Sequence, residues 1–253
     1  MRSRSKLIVL AAAGCVTTLL AATPLQAAEI TVVASGGPLP SVMAAVIPMF
    51  ERATGHKVKL NTKGGAAVAD DVKQGAADLV ITDAGVVDTL GASGDVVGGS
   101  ATLLMVSKVG VGVKAGAPKP DISTGDKLKA ALMAARTVGY SQGPSGQHFL
   151  KVVERLGIAD AVKAKGVIPK SGPVGPLVAN GEAEIGVQQV AELLAVPGVD
   201  LVGPLPNDLQ TRFPLSAGIA TKAKDAETAR ALIDFMRSAP VLPVLKEKGM
   251  DLP

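Results

Sequence analysis

The sequence predicts an α/β fold, and three observations carry that prediction. Short β-branched runs alternate with segments whose apolar residues recur at helical spacing. Glycine-rich loops stand three times at a strand-to-helix junction, at 35–37, 64–65 and 143–146. The apolar content is 47% but aromatic residues make up only 2%, so the core must be aliphatic and alanine-rich.

The first unit sets the pattern. Ile30 to Val33 reads as a buried strand that ends in Ser35-Gly36-Gly37-Pro38, and Val42, Ala45, Val46, Met49 and Phe50 follow at helical spacing. Gly55 stops that helix, Val58-Lys59-Leu60 starts a second strand, and Pro48 inside the helix predicts a bend. Because the helix start leaves outward-pointing N–H groups, the Ser35–Gly37 loop is either a plain turn or an anion receptor.

Residues 1–27 precede this unit and are read as a leader. Arg2, Arg4 and Lys6 come before the apolar run Leu7 to Gly14, and Pro24-Leu25-Gln26-Ala27 supplies a small-residue cleavage site, the three parts of a secretory signal peptide. The one cysteine, Cys15, lies inside this segment, so the mature chain has neither disulfide nor thiolate chemistry; acylation at Cys15 is the alternative processing route. With the leader gone, the 26 basic residues fall by three against 22 acidic ones, leaving a formal charge of +1. Neither that charge nor any aromatic-interleaved basic patch points to nucleic acid. About 225 residues remain, with no further apolar run of membrane-spanning length.

The units then repeat. Val68 and Val72 mark a helix over Ala66 to Gly75, followed by the strand Asp78 to Asp83. Two junctions in one sheet place both glycine loops at the carboxyl ends of the strands, where open α/β sheets bind ligands. Ala101 to Ser107 extends through Val113 as a long strand, and the chain crosses into a second domain near Val106 to Val113. A helix over Leu128 to Ala135, the strand Thr137 to Ser141 and a helix from Gln147 to Leu156 follow. Ser145, in the third glycine loop, is an N-cap or a hydroxyl donor to a ligand. Val167-Ile168, the helical segment Pro173 to Asn180 and the strand Glu184 to Gln189 complete the second domain. Strand alternation puts Gln188 and Gln189 on opposite faces, so one of them at most looks into a cleft. Val199 to Gly203 leads back, Ser216 to Ala220 is the return crossing, and helices over Ala226 to Arg237 and Val241 to Lys248 close the chain.

Several passages together carry a family resemblance: the first strand with Ser35, Phe50…Thr54-Gly55…Val58, the turns Gly75-Ala76-Ala77-Asp78-Leu79 and Gly181-Glu182-Ala183-Glu184-Ile185-Gly186, and the ending Ala231 to Ser238 with Gly249-Met250. In their order and spacing they resemble the periplasmic solute-binding proteins of ABC importers, of the molybdate-binding type. The resemblance implies a type 2 periplasmic-binding-protein fold, two lobes joined by two crossing strands with the ligand cleft between them. The lobes implied are 28–106 with 215–253, and 107–214. A small anion would be held by backbone N–H groups and hydroxyls, without cofactor or metal, and passed by a monomer to a membrane permease. Position by position, the ligand-binding residues implied are Ser35, Gly36, Gly64, Gly65, Ser145, Gly146 and Gln189. The family's second hydroxyl donor falls near Gly64-Gly65-Ala66, where none is present, and its tyrosine falls on Gln189. Two altered donors favour an organic acid over molybdate.

Enzymatic motifs are sparse. No Gly-x-Ser-x-Gly elbow, phosphate loop or metal-ligand cluster occurs. His56 is expected on the surface, and His148 is the one attractive general base, with Tyr140 and Lys63 behind it. An aconitate isomerase, which moves a double bond in a tricarboxylic acid, resembles the same binding-protein fold and is the enzymatic alternative to a carrier.

Overall fold

The computed structural model describes residues 27–253. The expected leader, except for Ala27, and Cys15 lie outside the described residues.

Nine strands, ten α-helices and one short 3-10 helix (Asn207–Leu209) follow one another in the described chain. The first half comprises β1 (Glu29–Ser35), α1 (Leu39–Thr54), β2 (Lys57–Lys63), α2 (Gly65–Lys73), β3 (Leu79–Asp83) and α3 (Ala84–Ala92). Next come β4 (Thr102–Lys114), α4 (Gly125–Ala134), β5 (Val138–Tyr140), α5 (Pro144–Arg155), α6 (Ala159–Lys163), β6 (Gly166–Val167) and α7 (Gly175–Ala179). The chain ends with β7 (Ile185–Gln189), α8 (Val190–Leu194), β8 (Val199–Pro204), β9 (Arg212–Ile219), α9 (Ala226–Met236) and α10 (Leu242–Glu247).

β4 joins two sheet halves. Over Thr102–Lys108 it pairs antiparallel with β9, and from Val109 it pairs with β7 and β8 instead. On the first side the order runs β2-β1-β3-β9-β4, with β1 parallel to both β2 and β3. On the second side β4 leads to β7, β5 and β6, the last three parallel to one another. The C-terminal segment returns to the crossing strand, where Val106 and Asp251 exchange two backbone hydrogen bonds of 2.9 Å.

Each half has its own core. Ile30, Val32, Leu39, Val46, Phe50 and Leu232 belong to one apolar cluster of the first half, and Val33, Val68, Val80 and Leu90 to another. In the second half Val111, Leu128, Val138, Phe149, Val153 and Val187 pack together. Core side chains are almost all aliphatic, as the composition requires, with Phe50 edge-on to Phe235 at 5.6 Å and Phe149 tilted against Tyr140 at 5.5 Å.

α1 runs unbroken from Leu39 to Thr54 through Pro48, which lies on its exposed side. Two local features differ from the sequence reading. His56 is buried rather than exposed, because its ring stacks on Phe50 and its Nδ1 accepts a hydrogen bond from the Ala28 N–H at 3.1 Å. Helices α3, α6 and α8 were not expected. α3 starts where Asp83 Oδ1 accepts from the Gly85 N–H at 2.9 Å, a cap obscured in the sequence by glycines at both ends of the helix. α8 follows β7 with no loop, so its apolar residues read as a prolongation of the strand.

Candidate functional site

Parallel strands on both sides of β4 direct their carboxyl ends toward one cleft, and three helices begin there. α1, α2 and α5 are 16, 9 and 12 residues long, with Pro38, Gly64 and Gly143 at their N-cap positions. None of the three caps makes a side-chain hydrogen bond, and no acidic residue occupies any of the three first turns. The free N–H groups of these first turns, which Pro40 and Pro144 do not supply, and the positive dipole ends are therefore left without an acidic residue of their own helix. The cleft between them measures about 710 Å³; Gly37, Pro40, Ser41 and Gly64 line it from the first half, and Ser141, Ser145, Gln188, Gln189 and Glu192 are among its residues from the second.

The halves meet closely at one point. Gly37 has φ +70°, and a Cβ there would stand 3.3 Å from Gln189 Nε2 and 3.5 Å from Glu192 Oε1. Only a glycine lets the loop after β1 take this left-handed conformation without strain while lying against the β7–α8 junction.

The third loop is folded tightly on itself. A Cβ on Gly146 would fall 1.6 Å from the Ser141 carbonyl oxygen, so the start of α5 depends on a bare backbone at that position. Ser145 is buried, its Oγ is 3.5 Å from Ser141 Oγ, and Gly143 holds the N-cap position, so Ser145 caps nothing. Both hydroxyls line the cleft. At the second loop, by contrast, a Cβ on Gly64 or Gly65 would meet no atom within 4 Å. Where the resemblance leads one to look for a hydroxyl donor there is open space.

The acidic member of the site is Glu192, on α8. Gln188 Oε1 accepts the Val174 N–H at 2.7 Å, which leaves the Gln188 Nε2 to donate to Glu192 Oε2. Gln189 Nε2 donates to Glu192 Oε1 at 3.1 Å, while Gln189 Oε1 is buried without a partner. Burial pushes the Glu192 carboxyl up to about 7, against the opposing effect of the Gln189 amide.

Gly64, Ser145 and Gln189 thus line the cleft. Gly36, Gly65 and Gly146 stand one position away from lining residues, and Ser35 ends β1 in register with Lys63, whose carbonyl accepts the Gly36 N–H at 3.0 Å. His148 is not brought to the cleft: its Nε2 lies 2.8 Å from the Leu209 carbonyl oxygen, at a separate groove lined also by Arg155 and Asp208. Tyr140 is buried against Phe149 in the second core, and burial raises its hydroxyl pKa. Lys63 is paired with Asp71 at 2.7 Å. Gln188 and Gln189 both face the cleft, contrary to strict alternation, because Gln189 is the last residue of the strand and at the same time the N-cap of α8. Sequence reasoning missed Ser41, Ser141 and Glu192. The first two are hydroxyls flanking glycine loops, a signal that was legible; Glu192 stands in a helix that the apolar pattern concealed.

A family model described as bacterial extracellular solute-binding protein matches residues 30–251. The chain belongs to that family. It is 36% identical to an aconitate isomerase of Pseudomonas sp over 245 residues, covering 92% of each chain. It is 28% identical to a molybdate-binding protein of Azotobacter vinelandii, over 99% of this chain and 98% of the relative. Among solved structures, the periplasmic molybdate-binding protein of Azotobacter vinelandii superposes with a TM-score of 0.72 at 21% identity, covering 89% of this chain and all of that one. The fold is accordingly that of the two-lobed type 2 periplasmic binding proteins, as the resemblance implied.

Proposed function

We propose that this protein binds a small polycarboxylic acid in the cleft between its lobes and isomerises it by shifting a carbon–carbon double bond. The observation that carries the binding half is the meeting of three uncapped helix starts, free of acidic residues, around a cleft of about 710 Å³. Several positive ends spread over one organic-ligand-sized cavity suit a molecule with several separated carboxylates better than one compact tetrahedral oxyanion. The open space before Gly64 and Gly65 supports the same choice, since a small oxyanion there would lack a donor on one side. Identity of 36% with an aconitate isomerase along 92% of the chain supports turnover. The lobes in this reading are 28–106 with 215–253, and 107–214, consistent with the change of partners along β4.

Incubating the mature protein with trans-aconitate and separately with cis-aconitate, and resolving the products by chromatography, tests the reading. Interconversion above the protein-free rate is expected; binding without interconversion would remove the isomerase half.

A second reading is favoured by the family itself. Solute-binding proteins capture a ligand outside the cytoplasm and deliver it to an ABC permease, and a monomeric carrier of an organic acid would use the same cleft without chemistry. Lobe closure on the ligand with no product formed would select it.

A further inference from the structure

Glu192 is the one feature of the cleft that anion binding alone does not call for. Among the lining residues no other side chain is titratable, and a carboxylate placed there competes with the ligand for the helix starts. It is held by design of its neighbours. The Val174 N–H occupies Gln188 Oε1, so that amide cannot turn over, and its NH₂ is committed to Glu192 Oε2. The Gln189 amide fixes the other oxygen, and the loop at Gly37 approaches the same oxygen from the opposite lobe.

No charged residue on the elements packed against α8 pairs with Glu192, and Lys246, on α10, lines a different groove together with Lys108 and Val190. On β4, Lys108 is paired with Asp251 at 2.9 Å, and Lys114 stands at the far end of the strand. On β8, Asp200 accepts from the Gly116 N–H, and on α1, Glu51 is paired with Lys57, with Arg52 beside it in the helix's last turn. No hydrogen bond or ion pair links any of these to Glu192. The carboxyl, held in place by both amides, is pushed up to about 7 by burial against the opposing effect of the Gln189 amide.

We infer that Glu192 is the group that moves the proton, with Gln188 as its positioning residue. The inference rests on the isomerase reading above. Glu192 takes a proton from the methylene carbon next to the double bond of the bound acid. The C–H electron pair becomes a new double bond as the old one shifts onto the conjugated carboxylate, whose oxygens carry the charge. The same carboxyl, after exchanging its proton with water in the open cleft, then returns a proton to the carbon at the far end of the three-carbon unit, and the charge flows back. One proton leaves and one returns, so no oxidant, reductant or second substrate enters. A carboxyl that titrates near 7 can serve in both directions at neutral pH.

The test uses the mature protein and trans-aconitate in deuterated water, followed by proton NMR, with affinity measured by calorimetry. The wild type should form the cis isomer and lose its methylene signal to solvent exchange. Glu192→Gln should lower both rates by about 10²–10⁴-fold, the usual contribution of a positioned acid–base group, while the affinity falls by no more than about tenfold. In Gln188→Leu the pH of half-maximal rate should move upward, because an N–H donor that favours the ionised carboxyl is gone; a merely structural role would lower the rate without moving that midpoint. An active wild type whose Glu192→Gln variant keeps its rate overturns the inference and leaves the isomerase reading standing. A wild type that binds but neither isomerises nor exchanges overturns both and leaves the carrier.

Discussion

Raising the pH from about 5 to about 8 should cost the ligand-free protein about 3 kcal/mol through Glu192 alone. Burial moves this carboxyl from an ordinary value of 4.5 to about 7, and each unit corresponds to about 1.36 kcal/mol. Between those two values the unfolded chain is ionised and the folded chain still holds the proton, so unfolding releases a proton and stability falls as the pH rises. The loss begins near 4.5, is complete above 7, and is an upper figure to the extent that water reaches the open cleft. Carboxyls shifted the other way act outside this window: Glu51, Asp121, Glu184 and Asp225 are held below their ordinary values by hydrogen bonds, so their contribution is lost only in acid. Thermal melts of wild type and Glu192→Gln across the window isolate the group. At roughly 2–4 °C per kcal/mol for a chain of this size, the wild type should lose roughly 6–12 °C more than the variant between the two ends. The variant keeps its neighbours satisfied, because the Gln189 amide can turn its unpartnered Oε1 toward the new NH₂. Parallel melting curves would refute the burial argument.

Two further substitutions test the geometry of the site. Gly146→Ala places a methyl 1.6 Å from the Ser141 carbonyl, so the third loop must rebuild; a melting point several degrees lower and at least a tenfold loss of polycarboxylate affinity are expected by calorimetry, and an unchanged affinity would dissociate that loop from the ligand. His148→Ala removes a hydrogen bond to the Leu209 carbonyl and should cost about 1 kcal/mol in denaturant titration with no change in isomerisation rate. Loss of turnover there would return His148 to the chemistry.

Much of this fold was legible because the strands are short, β-branched and bounded by glycine, and because helices such as α1 and α5 keep a clear apolar face. The three glycine loops were legible as strand-to-helix junctions for the same reason. What escaped was concealed by specific physics. α8 joins β7 directly, so Val190, Ala191 and Leu193, all buried, continue an apolar strand in the pattern and hide Glu192 among them. Gln189 turns toward the cleft only because it ends the strand, and alternation holds only inside one. His148 drew attention as a histidine near a helix start, but its position along the helix carries it round to the Leu209 carbonyl instead of the cleft. The burial of His56 depends on Phe50 and the Ala28 N–H, contacts no local pattern reveals.

If the three uncapped helix starts hold a polycarboxylate, calorimetric titration of the mature protein with trans-aconitate, and in parallel with molybdate, will register it. Saturable binding of the tricarboxylate at one site per chain, with molybdate weaker by at least a factor of ten, is the predicted result. Tight binding of molybdate with no heat from the tricarboxylate would contradict the account.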